Sequence, residues 1–360
     1  MSYVKNQINK YPQLREKLLR MNDLYFEYRQ IILGSLIRNP AYLRHIFHSK
    51  VIAEPGTLKF PGGVFNPGAV QTEDEIILLA RSQVVPWFKA RGKKKKFYLE
   101  GSPVIFKLES ETLRKKTEYV IDDLEGFPAD TNWSIEDLRM FRWKKRTIIN
   151  HSVVVKEKIG KYITQGTVYS GLSVLENSES KIKFLGIPLL DFETQKVEKN
   201  WVYKEKDSQL VLFYSSNPYR VLILENENEL IFRTVISQQF ERFKNPGGFN
   251  TMVSFSTNPI DYDEQHWIMI VHQIDHKVTG RCYYHWAVLI DKETLLPGKM
   301  TSKPLFSGMG ARGRTPGVRY ISSILKRGDE ILFFAGEGDV YVTLIRKNVR
   351  EIESLFVNLH

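Results

Sequence analysis

The chain contains a single cysteine, Cys282, among its 360 residues. One thiol excludes an internal disulfide and a metal site built from several cysteines, and it fits a reducing compartment. Long hydrophobic runs are also missing, because runs such as residues 76–80 are far shorter than the roughly 20 residues that span a bilayer. The first residues have no apolar stretch behind a positive start, so no secretory signal is expected. The sequence therefore predicts a soluble, cytoplasmic protein.

Positive charge is in excess, with 52 Lys and Arg against 41 Asp and Glu and a formal net charge of +11. Such a surplus favours an anionic ligand: a nucleic acid, a phosphorylated sugar or an acidic membrane surface. Nucleic-acid binding is not expected, because the basic tract at residues 91–96 lacks interleaved aromatics and a recognisable binding module. Aromatic residues make up 12% of the chain, a high share that favours a β-rich fold and also suits sugar binding.

Residues 1–50 differ in pattern from the rest of the chain. From Leu14 to Tyr28 the apolar residues recur near helical spacing, and Pro12 stands where a helix start tolerates proline. We predict a helical extension over residues 1–50, packed on a main domain at residues 51–360. The frequent Lys and Arg leave a second interpretation open, in which these helices contact a membrane surface.

One unit recurs along the rest of the chain: a polar turn, four to six apolar residues, then a polar or small residue. Successive copies are 57 to 71 residues apart. This spacing is typical of a four-stranded propeller blade with long loops. We predict an all-β five-bladed β-propeller, and the alternative is a pair of stacked sheets with accidental spacing. The five copies begin at Asp74, Lys145, Asp207, Gln265 and Asp329.

In a propeller, polar residues near the ends of the inner strands converge on one central pocket. Asn66 lies in an Asn-Pro-Gly segment, where its amide can bind a ligand hydroxyl or merely form a blade turn. Strand alternation places Asp137 and Arg139 on one face and Glu136 on the other. A partly buried carboxyl at Asp137 can act as a general acid. The alternative for this segment is a surface salt bridge.

The segment Glu198-Lys199-Asn200-Trp201 offers three further candidates. Lys199 can hold a phosphate, Asn200 can bind hydroxyls and Trp201 can stack on a sugar, although the segment can also be a charged strand edge. Arg312, in a glycine-rich loop, can place a cation over the central pocket.

Two short patterns suggest a metal only weakly. His272 and His276 are four residues apart in a region that favours strands, where this spacing does not bring them to one ion. Asp261-Tyr262-Asp263 matches the Asp-x-Asp pattern of metal-dependent nucleotide-sugar transferases, but three residues in a polar loop are unspecific. No metal and no cofactor are expected.

Taken in order, these segments resemble glycoside hydrolase family 130, the mannoside phosphorylases and mannosidases. The resemblance covers residues 60–345, and its specificity comes from several short motifs in sequence. The matching segments are Phe65-Asn66-Pro67-Gly68-Ala69 with Leu78-Leu79-Ala80-Arg81, Glu136-Asp137-Leu138-Arg139 against the family's Glu-Asp-Pro-Arg, Glu198-Lys199-Asn200-Trp201 with Tyr214-Ser215-Ser216-Asn217-Pro218, Gly247-Gly248 leading to His272, and Gly336-Glu337-Gly338-Asp339.

The resemblance implies a five-bladed propeller that acts on β-mannosides or a related sugar by phosphorolysis or hydrolysis, or by transfer as in the related mannosyltransferase/phosphorylase families. It implies that Asp137 is the general acid or base. Leu138 replaces the family's proline, so the loop that carries Asp137 can be set differently. The expected substrate-binding residues are Asn66, Arg81, Arg139, Asn200, Trp201, Tyr214 and Asp339, and the expected phosphate-binding residues are Lys199, His272 and Arg312.

The expected partners are a sugar acceptor together with phosphate, a sugar 1-phosphate or a nucleotide sugar. The reaction would invert the configuration at the anomeric carbon. A propeller that only binds glycans, or one that hydrolyses glycosides, is the alternative function.

Overall fold

The computed structural model describes residues 49–84, 100–127, 133–159, 162–176, 179–249, 251–276, 281–309, 311–313, 315 and 317–359. The helical extension that the sequence predicts lies outside these residues except for its last two, and the basic tract at 91–96 lies wholly outside them. Among the described residues, no helix has both the length and the apolar character needed to cross a membrane.

The described residues form 25 strands and very little helix, which confirms the all-β prediction. The helical pieces are a 3₁₀ turn at Thr57–Lys59, α1 at Glu241–Lys244 and α2 at Val349–Glu353. The strands are β1 (Lys50–Ala53), β2 (Val64–Gln71), β3 (Glu75–Gln83), β4 (Glu100–Glu109), β5 (Lys115–Val120), β6 (Asp123–Glu125), β7 (Trp133–Trp143), β8 (Arg146–Ile159), β9 (Tyr162–Leu175), β10 (Lys181–Gly186), β11 (Leu189–Leu190), β12 (Val202–Lys206), β13 (Gln209–Ser216), β14 (Tyr219–Asn226), β15 (Ile231–Gln238), β16 (Ser254–Phe255), β17 (Ile260–Asp261), β18 (His266–Asp275), β19 (Cys282–Asp291), β20 (Pro297–Thr301), β21 (Phe306–Ser307), β22 (Arg319–Arg327), β23 (Glu330–Glu337), β24 (Tyr341–Asn348) and β25 (Phe356–Asn358).

These strands form five hydrogen-bonded sheets, and four of them have the antiparallel four-strand pattern of a propeller blade. Three blades are built from consecutive strands: β2 to β5, β7 to β10 and β12 to β15. The fourth consists of β22, β23 and β24, completed at its outer edge by β1. The first strand of the described chain thus closes the sheet formed by its last long strands.

The remaining sheet is irregular. It contains β16, β18, β19, β20 and β25, with β17 paired to β18 and β21 paired to β19. Its inner edge is split into two strands of two residues each, β16 and β17. The structure therefore has a propeller arrangement with four regular blades, whereas the sequence predicted five equivalent ones.

Each recurrent apolar unit is the second strand of a different sheet. The five units correspond to β3, β8, β13, β18 and β23. The second strand is buried on both faces, because a neighbouring sheet packs on each side, and such strands are continuously apolar. In β3, residues 76–80 are at most 2% exposed. The prediction that each unit is a strand of a separate sheet is confirmed, and four of these sheets are regular blades.

The strand before each unit is the inner one, and these inner strands lie side by side. Strand β2 contacts both β7 and β22, and β7 contacts β12. The approach of β2 to β7 is close, since a Cβ atom on Gly68 would lie 2.9 Å from the Arg139 Cα. The candidate residues Asn66, Asp137 and Arg139 therefore lie on inner strands, next to one another.

Candidate functional site

The inner strands β2 and β7 each carry a β-bulge at the matching position. The pairing register shifts between Phe65 and Gly68 in β2 and between Glu136 and Arg139 in β7. Inside the two bulges, Asn66 and Asp137 adopt left-handed φ angles of 52° and 53°. A bulge re-aims a side chain toward a site, at a cost in backbone strain.

The bulge in β7 corrects the argument from simple strand alternation. The Arg139 Nη1 donates to the main-chain oxygen of Asp137 at 3.3 Å rather than to its carboxylate. Arg139 is only 2% exposed, so the two residues do not form the surface salt bridge considered as an alternative. Glu136 instead accepts a hydrogen bond from Arg81 Nη2 at 2.9 Å.

Asn66 orients the carboxylate of Asp137. The Asn66 Nδ2 donates to Asp137 Oδ1 at 3.1 Å. Asn66 is buried, whereas Asp137 is half-buried. The other carboxylate oxygen, Oδ2, is neither buried nor bonded to any described residue. The arrangement holds one oxygen in place and leaves the second open to a reactant.

Arg139 joins inner segments from four sheets. Its Nε donates to the main-chain oxygen of Ser256 at 2.5 Å, and its Nη2 donates to Asn200 Oδ1 at 3.1 Å and to the hydroxyl of Tyr320. Among the described residues, no carboxylate lies within ion-pair distance of this guanidinium. A buried cation without a carboxylate partner gives the surrounding pocket a positive potential.

His272 lies beside these residues. Its Nδ1 is 2.8 Å from the Ser256 hydroxyl, and its ring packs on Tyr283 at 5.4 Å and against the edge of Tyr320 at 5.3 Å between ring centres. When the Ser256 hydroxyl donates to Nδ1, the proton resides on Nε2, which can then donate a hydrogen bond to a ligand.

His272 is not positively charged near neutral pH, whereas a side chain that binds phosphate through its charge must be. Burial, and then the positive charges of Arg139 and Lys199, lower the pKa of His272 to about 3, although Asp137 opposes this shift. His272 is therefore neutral near pH 7. Its phosphate-binding role stays a prediction, in which the ring contributes a hydrogen bond and no charge.

Lys199 and Asn200 lie at the edge of the same group. Asn200 has a φ of 65° and accepts hydrogen bonds from Arg139 and, at 3.3 Å, from the Tyr320 hydroxyl. Lys199 is exposed and makes no ion pair or hydrogen bond with the described residues. Both residues line a cleft of ≈ 370 Å³. Lys199 is thus a cation with its donors free for a ligand.

Trp201 does not have the face that sugar stacking requires. It is 2% exposed and belongs to the hydrophobic core between two sheets. Its Nε1 donates to Glu198 Oε2 at 3.1 Å, and the Tyr214 hydroxyl donates to Glu198 Oε1 at 2.8 Å. The prediction that Trp201 stacks on a sugar is wrong, because its ring is enclosed between the blades. Tyr214 is half-buried and lines the cleft.

Three other candidates lie at the margin of the site. Arg81 stands over the Phe65 ring at 5.2 Å and is held there by Glu136. Asp339 accepts a hydrogen bond from Thr315 at 2.9 Å and has a φ of 57°. Arg312 lies half-buried in a loop before β22.

The residues that the sequence did not single out are Tyr320, Ser256 and Tyr283. Burial first, and then the carboxylates of Asp339 and Asp137, raise the pKa of Tyr283 to about 12, against an opposing effect of Arg281. Tyr320 and Tyr283 lie in β22 and β19, Ser256 directly follows β16, and none of the three belongs to a motif. Their place in the site follows only from the way the sheets meet.

The Asp-x-Asp segment is occupied by structural contacts. Asp261 forms ion pairs with Lys204 at 2.6 Å and Lys292 at 2.9 Å. Burial raises the pKa of Asp261, but the hydrogen bonds from the two lysines outweigh it and lower the pKa to about 2. Among the residues that the structure describes, no group of three or more His, Cys, Asp or Glu is placed to hold a metal ion.

Comparison with known proteins gives similarity in structure only. No family model matches the sequence, and no curated protein matches it. A β-1,2-mannobiose phosphorylase from Listeria innocua has 14% sequence identity, with 84% of this chain and 96% of that chain covered and a TM-score of 0.57. A second structure has 12% identity, with 80% of this chain and 85% of that chain covered and a TM-score of 0.55. It comes from a study of family 130, whose mannoside phosphorylases include glycoside hydrolases that target β-1,2-mannosidic linkages in Candida mannan.

A GDP-Man-dependent mannosyltransferase from Leishmania mexicana has 10% identity, coverage of 79% and 85% and a TM-score of 0.51. At such identities the likeness concerns the fold. The chain has the fold of the family 130 mannoside phosphorylases, which confirms at the level of the fold the resemblance seen in its motifs.

Proposed function

We propose that this protein transfers a glycosyl group of a β-mannoside-type sugar, with inversion at the anomeric carbon, between an acceptor and a phosphate-bearing group. The observation that carries the proposal is the placement of Asp137: one oxygen is held by Asn66 and the other is open, beside the buried cation Arg139. A general acid or base must be fixed in orientation and still reach the reacting atom. The solved structures with the same fold include a phosphorylase and a nucleotide-sugar-dependent transferase, which supports this class of reaction.

In the phosphorolytic direction, Asp137 donates its proton to the glycosidic oxygen as that oxygen leaves the anomeric carbon. A phosphate oxygen attacks the same carbon from the opposite face, so the product is a sugar 1-phosphate of inverted configuration. In the synthetic direction, Asp137 accepts the proton of the acceptor hydroxyl while phosphate or a nucleoside diphosphate leaves. Lys199 would bind the phosphate directly, and the charge of Arg139 would stabilise it.

Transfer to phosphate is favoured over hydrolysis by the state of the other carboxylates near the site. An inverting hydrolase needs a second carboxylate to activate water. Here Glu136 is paired with Arg81, Glu198 is bonded to Tyr214 and to Trp201, and Asp339 accepts from a threonine hydroxyl. Phosphate needs no such base, because it is already an anionic nucleophile.

The proposal also assigns the irregular sheet as the fifth blade of a catalytic domain at residues 51–360. Its inner segment supplies Ser256, whose main-chain oxygen accepts from Arg139. Its long strand β18 supplies His272. The sheet therefore contributes to the central site as the regular blades do.

The test combines a donor screen with a substitution. Mannose 1-phosphate, GDP-mannose and other nucleotide sugars are offered with mannoside acceptors, and release of phosphate or nucleoside diphosphate is measured. Asp137→Asn keeps the size of the side chain and loses the proton exchange, so we expect turnover to fall about 10²- to 10⁴-fold. Glu136→Gln is the matched control, and it should leave most of the turnover and the pH profile in place.

Near-normal turnover in Asp137→Asn together with its loss in Glu136→Gln would move the catalytic assignment by one residue. Glycan binding without turnover of any donor, unaffected by Asp137→Asn, would indicate a protein that only binds glycans.

A further inference from the structure

The cleft that starts at Lys199 and Asn200 continues away from Asp137 into the third blade. Its ≈ 370 Å³ are enclosed by the β11–β15 sheet and by the segment before β16. Phe192, Tyr214 and Arg220 form one wall, and Met252, at 68% exposure, lies at the rim. The cleft extends beyond the residues assigned to the proposed reaction.

Arg220 is held in this wall by aromatic rings. Its guanidinium carbon lies 4.1 Å from the centre of the Phe192 ring and 5.7 Å from that of Tyr214. Stacking fixes the plane of a guanidinium and uses none of its N–H donors. Among the described residues, Arg220 makes no ion pair and no side-chain hydrogen bond, and its Nε is buried without a partner. Its Nη groups are not buried and are accessible from the cleft.

The carboxylates around Arg220 are already engaged. Glu198 accepts from Tyr214 and Trp201. Asp191 interacts with Arg220 only at long range, and accepts from the main-chain nitrogen and the hydroxyl of Thr234 at 2.9 and 2.7 Å. The exposed Nη donors of Arg220 therefore have no acceptor among the described residues, and an anionic ligand in the cleft can supply one.

A second unpartnered atom lies in the same wall. The Oδ1 of Asn217 is buried and has no hydrogen-bond partner among the described residues, and Asn217 lines the cleft. The exposed part of the wall thus offers the Arg220 cation to an anionic group. Lys199 adds a second cation at the inner end.

We propose that this cleft is a second anionic subsite, in which Arg220 binds a phosphate group of a substrate whose reacting phosphate lies at Lys199. The proposal rests on the proposed function, because that function places the reacting phosphate at Lys199. The substrate would carry two phosphate groups in the complex, either as the diphosphate of a nucleotide sugar or as a donor phosphate together with a phosphorylated acceptor sugar. In both cases the group that Arg220 binds is a phosphate attached to a sugar that carries hydroxyls.

The experiment measures binding by titration calorimetry at fixed ionic strength, with inorganic phosphate, pyrophosphate, GDP and mannose 6-phosphate as probes. Arg220→Gln removes the charge and keeps a polar side chain, so we expect about 10- to 100-fold weaker binding of the probes that reach Arg220. Arg233→Gln is the matched control: Arg233 lies in the same sheet, is exposed and is paired with Glu225 at 2.9 Å, so its loss should leave all affinities unchanged.

The probes separate the two sources of the second phosphate. If Arg220→Gln weakens only the binding of pyrophosphate and GDP, the second phosphate belongs to the diphosphate of a nucleotide sugar. If it weakens the binding of mannose 6-phosphate, the second phosphate belongs to a phosphorylated acceptor. Thermal unfolding followed by circular dichroism checks the fold of each variant. Arg220→Lys keeps the charge without the planar fork. If the glutamine variant does not fold, about tenfold weaker binding by Arg220→Lys supports the subsite, and unchanged binding contradicts it.

Two results overturn the subsite: wild-type affinities for all four probes in a folded Arg220→Gln variant, or no binding of any probe by the wild-type protein. The outcome is distinct from failure of the proposed function. Asp137→Asn keeps Arg220 intact, so unchanged turnover in Asp137→Asn would refute the catalytic proposal while the Arg220 result stands on its own.

Discussion

At the scale of single residues, Arg139 shows how one buried side chain can organise a site. The sequence predicted a contact with sugar or phosphate for this residue. In the structure its guanidinium donates instead to Ser256, Asn200, Tyr320 and the main chain of Asp137. With most of its donors used inside the protein, Arg139 acts on a ligand through its charge rather than through a full set of hydrogen bonds.

Lys199 is the residue on which direct anion binding depends. It is exposed, lines the cleft and makes no bond with the described residues. A charge-assisted hydrogen bond to phosphate is strong, so Lys199→Ala should weaken binding of the phosphate-bearing donor about 10- to 100-fold. Titration calorimetry measures the change, with Lys183→Ala as the control, because Lys183 is exposed and paired with Glu125 outside the cleft. Unchanged donor affinity would remove Lys199 from the site.

At the scale of elements, the two bulges decide where the chemistry lies. Strand alternation alone would send Asn66 and its neighbours to alternate faces. The bulges in β2 and β7 instead place Asn66 and Asp137 within hydrogen-bond distance of each other, across two sheets. The same backbone path is reached by Phe65-Asn66-Pro67-Gly68 and Glu136-Asp137-Leu138-Arg139, so Leu138 occupies the position that proline has in β2.

Gly336 in β23 has no side chain, and this leaves the space that Asn66 occupies beside Asp137. A Cβ atom on Gly336 would lie 2.0 Å from Asn66 Oδ1 and 2.7 Å from the Asn66 main-chain nitrogen. Gly336→Ala should therefore displace Asn66, weaken its bond to Asp137, lower turnover and destabilise the fold by about 1–3 kcal/mol. Gly298→Ala in β20 is the control, since nothing lies within 4 Å of a Cβ there. Thermal unfolding and steady-state kinetics check both variants, and wild-type values in Gly336→Ala would contradict the packing argument.

At the scale of the whole molecule, the hydrophobic core lies between the sheets rather than inside any one of them. One cluster joins Leu78 and Phe106 of the first blade to Phe334 and Leu344 of the last. Strand β1 belongs to the same cluster through Ile52 and Ala53, and so helps to join the last blade to the first. Because every sheet depends on two neighbours, the inner strands are held at fixed distances around the axis.

The packing of each sheet between two neighbours buries three of the described histidines, which makes the stability of the fold depend on pH. Burial lowers the pKa of His151 and of His272 to about 3, and it also lowers the pKa of His285. A histidine whose pKa falls on folding contributes stability above its unfolded pKa of about 6.5, and that contribution is lost as the pH falls toward its folded pKa. His151 and His272 should therefore each cost about 2 kcal/mol of stability between pH 7 and pH 5, and His285 acts in the same direction.

Urea unfolding at pH 7 and pH 5 measures this loss. His151→Phe, in a pocket that already contains Phe127 and Phe184, removes one of the three groups and should reduce the difference between the two pH values by about 2 kcal/mol. An equal difference in the wild-type protein and in His151→Phe would show that His151 takes no part in it.

The all-β class, one apolar strand for each of five sheets, and the candidates Asn66, Asp137, Arg139, Lys199 and Asn200 could be predicted from the amino-acid sequence. These features are local. The apolar runs indicate strands buried on both faces, and the turn-prone polar residues indicate bulges and strand starts near the propeller axis.

The fold of the whole chain sets which of these residues meet and which protonation state they adopt. It enclosed Trp201, made His272 neutral and brought Tyr320 and Ser256 to Arg139 from 181 and 117 residues away along the chain. It also split the inner edge of one sheet into β16 and β17. Burial and contacts of this kind are properties of the closed ring, because they depend on which neighbouring sheet covers a residue, and no short stretch of sequence encodes that.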